Sequence, residues 1–250
     1  MANNLQYAAI FQAELDKAAK EQATSGWMEL NDKLVRYNSG SEVKIPMLDM
    51  DGLADYDRQT GFVEGSVDLT WQTKKMAMDR GRQFTIDEQE VNDTNFVLTA
   101  SSVMGEFQRT KVVPEIDAYR YSTLAALAAA KDRAVYGYTP EEASIQDEVG
   151  DDTPLVITMS TQVAALFDMN TTLARSVSPT DFRQGDITLK VKSLNGQHPI
   201  IRVGSGRLKT SYQFNDGTTE NQVKGGFTPA DDAQDINWII CPRSAPIAVS

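Results

Sequence analysis

The stretch from Thr94 to Arg133 carries a helical pattern that would reach roughly 60 Å if unbroken, longer than most domains accommodate. Asn92, Asp93 and Thr94 supply N-cap side chains at its start, and Pro114 sits inside it. At about 100° per residue, Phe96, Ala100, Val103, Met104 and Phe107 form one apolar stripe. Val113, Ile116, Tyr119, Leu124 and Leu127 centre nearly opposite it. Either Pro114 separates two helices that pack independently, or one kinked helix lies between two layers and offers a different face to each. The alanine-rich "LAALAAA" favours continuation, because alanine has the highest helix propensity. The expectation is a single helix, capped near Thr94, bent near Pro114, ending near Arg133, with Phe107 fully buried.

Composition bounds the rest. A chain of 250 residues, 41% hydrophobic and 24% charged, supports one large domain or two modest ones. No apolar run approaches bilayer length, and "MANNLQYAAIFQAELDKAAKEQ" lacks the basic start and small-residue cleavage site of a secretory signal, so synthesis in a cytoplasm is expected. The single cysteine, Cys241, excludes an internal disulfide and reads as a small buried hydrophobe in "NWIICP". A formal charge of -11 and a pI near 4.6 argue against nucleic-acid recognition, which needs clustered Lys and Arg to neutralise phosphates.

Texture divides the chain. Residues Asn4 to Lys20 suit a short amphipathic helix, and the polar Gly26 to Ser41 has to lean on something else. "EVKIPML" alternates at Val43, Ile45 and Met47, with Pro46 limiting it to an edge or a loosely paired strand. "SVDLTWQT" puts Val67, Leu69 and Trp71 on one face and Asp68, Thr70 and Gln72 on the other. "KKMAMDRGRQFTID" continues in extended style, with Gly81 marking a bulge. The pair reads as a long, mostly polar hairpin, poorly specified alone and wanting an external partner. Beyond Tyr136, an acidic loop precedes the buried-strand run "LVITMS" and the helical "TQVAALFDM". "DITLKVKSLNGQHPIIRV" gives two strands joined at Asn195 and Gly196, and "INWIICP" and "PIAVS" give more strand. The fold class expected is α+β.

Enzyme motifs fail on spacing. "DMDGLADYD" puts glycine at the fourth position of a calcium loop and Thr60, not Glu, at the twelfth, so it reads as a solvated turn. "GSGRLK" lacks the ending of a phosphate loop. His198, the only histidine, has no evident nucleophile beside it. Asp151 with Asp152 and Asp231 with Asp232 read as solubilising loop charge. No catalytic, cofactor or metal residue is expected. Glu106, Arg109, Asp117 and Arg120 project within roughly 80° of one another as a mixed-sign surface strip.

"DRGRQFTID", "TNFVLTASSVMGEFQRTKVVPEIDAYRYSTLA", "LVITMS", "LNGQHPIIRV", "DGTTENQVKGGF" and "INWIICPRSAPIAVS", in this order, resemble the tailed-bacteriophage major capsid proteins with the Hong Kong 97 fold. The resemblance spans roughly Ser41 to Ser250, and "MGEFQRTKVVPEIDAY" is its most specific phrase. It implies an N-terminal arm over 1–40, an extended β-hairpin loop over 41–90, a peripheral domain with a long spine helix over 91–135, an axial domain over 136–240, and a return strand to the peripheral domain over 241–250. Relatives usually run on past a segment like "APIAVS", and no crosslinking Lys–Asn pair carries over. The implied function is an icosahedral shell of hexamers and pentamers, with scaffolding and portal proteins as partners. The shell encloses double-stranded DNA without sequence-specific binding, assembles in the host cytoplasm and has no membrane role. Candidate intersubunit contacts are Arg80, Arg82, Trp71, Glu106 and Arg109; the two arginines suit bridging because guanidinium pairs bidentately with carboxylate. Two alternatives stay open: an encapsulin-type compartment, and a soluble acidic enzyme or ligand-binding module.

Overall fold

The computed structural model describes residues 22–29, 35–38, 42–54, 58–59, 61–76, 78–84, 100–135, 153–170, 175–184 and 187–248. The expected helix over Asn4–Lys20, the N-cap at Asn92–Thr94, Phe96 and most of the acidic loop before Pro154 lie outside them. The chain is mixed α+β, mostly sheet with one long helix, and divides into two compact units. The smaller is Asn31–Thr85; the larger takes in Met1–Leu30 and Ile86–Ala248.

The smaller unit is a three-stranded antiparallel sheet in sequence order: β1 (Arg36–Asn38), β2 (Glu42–Met50) and β3 (Val67–Lys75). β1 pairs with β2 only as far as Lys44, so at Pro46 the outer edge of β2 is unpaired. A proline without an N–H is tolerated at such a place. Strand pairing stops at Lys75, and residues 78–84 belong to no strand, so the part of "KKMAMDRGRQFTID" described beyond Lys75 is not in the sheet.

In the larger unit, α1 (Ala100–Phe107), a π-helical turn (Gln108–Val112) and α2 (Val113–Ala130) follow without a break. The expected continuity across Pro114 holds, with a different device from a simple kink. Val113 N–H bonds to the Gln108 carbonyl, five residues back, immediately before the proline that has no N–H to give. Pro114 is thus the second residue of α2, directly after the π-helical turn. The helix stops at Ala130 rather than near Arg133, closing with Arg133 N–H on the Ala128 carbonyl. Phe107 is half-buried rather than fully buried, and Leu127, expected inside, is 57% exposed.

A five-stranded sheet forms the body, in the order β10-β4-β7-β6-β5. Its strands are β4 (Leu155–Ser160), β5 (Val177–Gln184), β6 (Ile187–Leu194), β7 (His198–Val203) and β10 (Trp238–Pro242). The small pair β8 (Tyr212–Phe214) and β9 (Phe227–Pro229) stands apart from it. β4 and β7 are parallel, and the other pairings are antiparallel. β6 turns into β7 where Asn195 (φ 53°) and Gly196 (φ 75°) take left-handed conformations, which these two residue types tolerate best.

Alternate residues of the central strands feed two cores. Val156, Ile201, Val203, Ile239 and Cys241 share one with Phe182, Trp27, Met28, and Tyr121 and Leu124 of α2. Ile157, Met159, Ile200 and Ile240 share the other with Ala164 and Phe167 of α3 (Thr161–Met169). The Ser160 hydroxyl caps α3 by accepting from Val163 N–H at 3.3 Å. Because both faces of β4 are covered, "LVITMS" is buried throughout, Thr158 and Ser160 included.

Candidate interaction surface

The mixed-sign strip is corrected in half of its members. Asp117 and Arg120 are buried, not on the surface. One Asp117 carboxylate oxygen accepts from Ser25 N–H (3.0 Å) and Ser25 Oγ (2.7 Å). The other accepts from Thr24 N–H (3.2 Å), Thr24 Oγ1 (2.8 Å) and Arg207 Nη1 (3.2 Å). Arg120 donates to Glu29 at 2.6 Å and to the Ser25 carbonyl. Both charges therefore pin residues 24–29 against α2, and Arg207 brings in the 3-10 turn Ser205–Arg207. A buried carboxylate is stable only when its oxygens are saturated in this way. Tyr121 lies beside the network and donates to Thr24 Oγ1 (3.2 Å); burial, then the Asp117 charge, pushes its hydroxyl pKa up. The polar segment Gly26–Ser41, expected to lean on something, does so at Trp27 and Met28, both inside the core.

Glu106 and Arg109 are exposed and pair with each other one helical turn apart, through Nη2–Oε1 at 2.6 Å and Nε–Oε2 at 3.0 Å. That hydrogen bond holds the Glu106 carboxyl below its ordinary range and the Arg109 guanidinium above its own. Locally this is an intrahelical pair. Arg80 and Arg82 are exposed on residues 78–84 of the smaller unit. Trp71 stands on β3, 39% exposed, with the Arg36 guanidinium 5.0 Å above its ring. Among the candidates, Trp71, Arg80 and Arg82 share the hairpin unit, while Glu106 and Arg109 belong to the larger one.

The β2–β3 register shows what sequence reading missed. Directly opposed residues point to the same face of an antiparallel pair. Pro46 opposes Trp71, Leu48 opposes Leu69 and Met50 opposes Val67, forming an apolar ladder. Leu48 (60%), Met50 (62%), Val67 (65%) and Leu69 (55%) are all solvent-exposed. The other face holds Asp49 opposite Asp68 and Met47 opposite Thr70. The exposed ladder therefore occupies the tip-side half of one face, while the other face carries Val43, Ile45 and Met47 opposite Lys74, Gln72 and Thr70. Leu48 and Met50 lie outside the alternating set Val43, Ile45 and Met47, so only the register reveals their alignment with Trp71. At the tip, the Asp51 carboxylate accepts from Ser66 N–H (2.7 Å) and Ser66 Oγ (2.9 Å), which lowers its pKa.

Elsewhere, Asp168 is held by Lys192 (2.9 Å) and Arg202 (2.7 Å), whose hydrogen bonds lower its pKa, at the rim of an open cleft lined by Val177, Ser178 and Pro179. The only histidine, His198, begins β7 and accepts Leu155 N–H on Nδ1 at 3.3 Å, a structural contact. Burial pushes the Cys241 thiol up to about 12, so at neutral pH it is a protonated small hydrophobe. No described group of three or more His, Cys, Asp or Glu side chains has metal-binding geometry, and no described helix is long and apolar enough to cross a membrane. No protein-family description, curated protein or solved structure matches the chain.

Proposed function

We propose that this chain is the repeating subunit of a protein shell: a major capsid protein of the Hong Kong 97 type that self-assembles into the icosahedral head of a tailed bacteriophage. The observation that carries this reading is the apolar ladder on β2 and β3, exposed on a unit whose own core is slight. An isolated hairpin with one bare apolar face is marginal in water and gains most from burial against another molecule. The chain order of hairpin, long helix, then mixed sheet also matches the order that the sequence resemblance implies.

In this reading the subunits form hexamers and pentamers, scaffolding and portal proteins guide closure, and double-stranded DNA fills the interior without sequence-specific contact. The acidic balance of -11 suits a container that does not adhere to its contents. Many modest contacts, added cooperatively, close the shell. Arg80 and Arg82 bridge subunits; replacing both with alanine lowers shell yield and leaves the far-ultraviolet circular dichroism of the subunit unchanged. Electron microscopy of the purified protein tests the reading, since dispersed particles without shells would sink it. Nucleic-acid content of the shells then separates a phage head from a cellular compartment.

A further inference from the structure

Two sheet edges in this chain are guarded unequally. An edge strand presents unpaired N–H and C=O groups that recruit another strand unless something blocks them. β5, an edge of the five-stranded sheet, carries Pro179, which has no N–H to offer, and its Arg183 carbonyl accepts from the Arg243 guanidinium. β3 has neither device. It is an edge strand of nine residues without proline, all exposed, and among the described residues it pairs only with β2. The phase of the ladder shows which of its groups are open. Asp51 N–H donates to the Ser66 carbonyl at 3.2 Å. In an antiparallel pair the bonded positions recur at every second residue, here Asp49–Asp68, Met47–Thr70, Ile45–Gln72 and Val43–Lys74. Pro46 falls between them, which suits a residue without an N–H. Val67, Leu69, Trp71, Thr73 and Lys75 therefore turn their backbone N–H and C=O groups away from β2.

We infer that β3 pairs edge to edge with β3 of a second copy, antiparallel about a two-fold axis at Trp71, so that two hairpins become one continuous sheet. Backbone phase restricts the registers, because the outward-facing residues of one strand have to meet those of the other. Among the allowed registers, the one centred on Trp71 matches the whole of Val67–Lys75 with itself. That register also sets Asp68 directly opposite Lys74 of the second copy, and Lys74 opposite its Asp68. Such pairs share a face, with Cα atoms about 4.5 Å apart at non-hydrogen-bonded positions. Within one subunit Asp68 already stands opposite Asp49, a pair of like charges. The second copy's ammonium joins that row and offsets the repulsion. A register shifted by two residues puts Gln72 or Met76 opposite Asp68 instead, and in-register parallel pairing sets Asp68 beside Asp68 and Lys74 beside Lys74. The charges therefore select the occupant, its direction and its register together. An isologous contact of this kind closes on itself and leaves neither copy with an open edge at β3. The inference deepens the shell reading by naming the hairpin's partner, and rests on that reading only for its biological setting.

Disulfide trapping in the full-length chain, with Cys241→Ala removing the native thiol, tests it. Asp68→Cys combined with Lys74→Cys brings thiols of different copies within the Cα range of a disulfide, about 4.4–6.8 Å. Inside one strand the same two positions stand about 20 Å apart and cannot join. Oxidised dimer on a non-reducing gel is expected at least tenfold more readily from this chain than from Asp68→Cys with Gln72→Cys, or from Thr70→Cys with Lys74→Cys, which report the registers two residues away. Equal yields from the three chains, or none from the first, would overturn the contact; a higher yield from either of the others would overturn the register. Thr73→Pro, added to the first chain, removes an outward N–H and leaves the bonds to β2 intact. It should cut the yield at least tenfold with the far-ultraviolet circular dichroism of the subunit unchanged, and an undiminished yield would overturn pairing through this edge. Trp71→Cys, on the axis, carries the charge test: Lys74→Glu should lower its disulfide yield several-fold, and adding Asp68→Lys should restore it. An unrestored yield would overturn the charge selection. Shells formed by a chain whose Asp68→Cys and Lys74→Cys thiols do not join would remove this inference and leave the shell reading standing; the disulfide without shells would do the reverse.

Discussion

Strands β3 and β4 are both well-formed, yet every residue of β4 is buried and every residue of β3 is exposed. All of "LVITMS" in β4 is buried, Thr158 and Ser160 included, because each of its faces meets a cover, α2 with residues 22–29 on one side and α3 on the other. "VDLTWQTKK" in β3 alternates, and its apolar face meets no comparable cover among the described residues. The number of covered faces thus decides the burial of each strand. The body buries both faces of its central strand, whereas every residue of β3 in the hairpin is exposed.

The comparison breaks most readily at Asp117. Asp117→Ala leaves Thr24, Ser25 and Arg207 facing an empty buried site and is expected to cost about 3–5 kcal/mol in urea unfolding. Asp49→Ala, on the hairpin, is expected to leave the unfolding midpoint unchanged. A matching result for the two aspartates would erase the distinction between the units. Next in size, Met159→Ala removes a side chain only 2% exposed and should cost about 2–5 kcal/mol. Leu48→Ala should stay within about 0.5 kcal/mol in the unassembled subunit while weakening assembly. If Leu48→Ala unfolds the isolated chain, the ladder belongs to the subunit's own core.

Opposite ends of the pH scale should separate the units more gently. In the body, burial pushes the Cys241 thiol and the Tyr212 hydroxyl each up to about 12, and Tyr121 is also raised. Their folded pKa values exceed the ordinary 9.0 and 10.0, so this stability is fully present below about pH 9 and is lost as pH rises toward about 12. Tryptophan fluorescence of buried Trp27, in a variant with Trp71 and Trp238 replaced by phenylalanine, should report that loss first. At the hairpin tip the sign reverses. The Ser66 hydrogen bonds lower the Asp51 pKa, so the closure they make is present above the ordinary carboxylate value of 3.8 and is lost as pH falls through the lowered one. Hydrogen exchange at Ser66 N–H should rise under acid while the β4 amides stay protected. The smallest effect is expected at Glu106→Gln, which removes an exposed pair; a shift in thermal midpoint beyond measurement error would mean that the pair is buried in an assembly.

Sequence alone determined the strong periodicities: β4, α3, the Asn195–Gly196 turn, β10 and the unbroken passage of the long helix through Pro114. These follow from short-range physics, in which side-chain spacing, capping and backbone freedom act within a few residues of one another. β5 escaped notice because Pro179 and Asp181 dilute its pattern, which an edge strand tolerates. Tertiary structure decided everything that depends on a partner far along the chain. Asp117 and Arg120 look like surface charges until residues 24–29, more than ninety positions away, supply their hydrogen bonds. Similarly, Leu48 and Met50 become one face with Leu69 and Val67 only when the register is fixed, since a slip of one residue would turn them to the other side. A charge is buried or exposed, and a strand one-sided or two-sided, according to what the rest of the chain brings beside it.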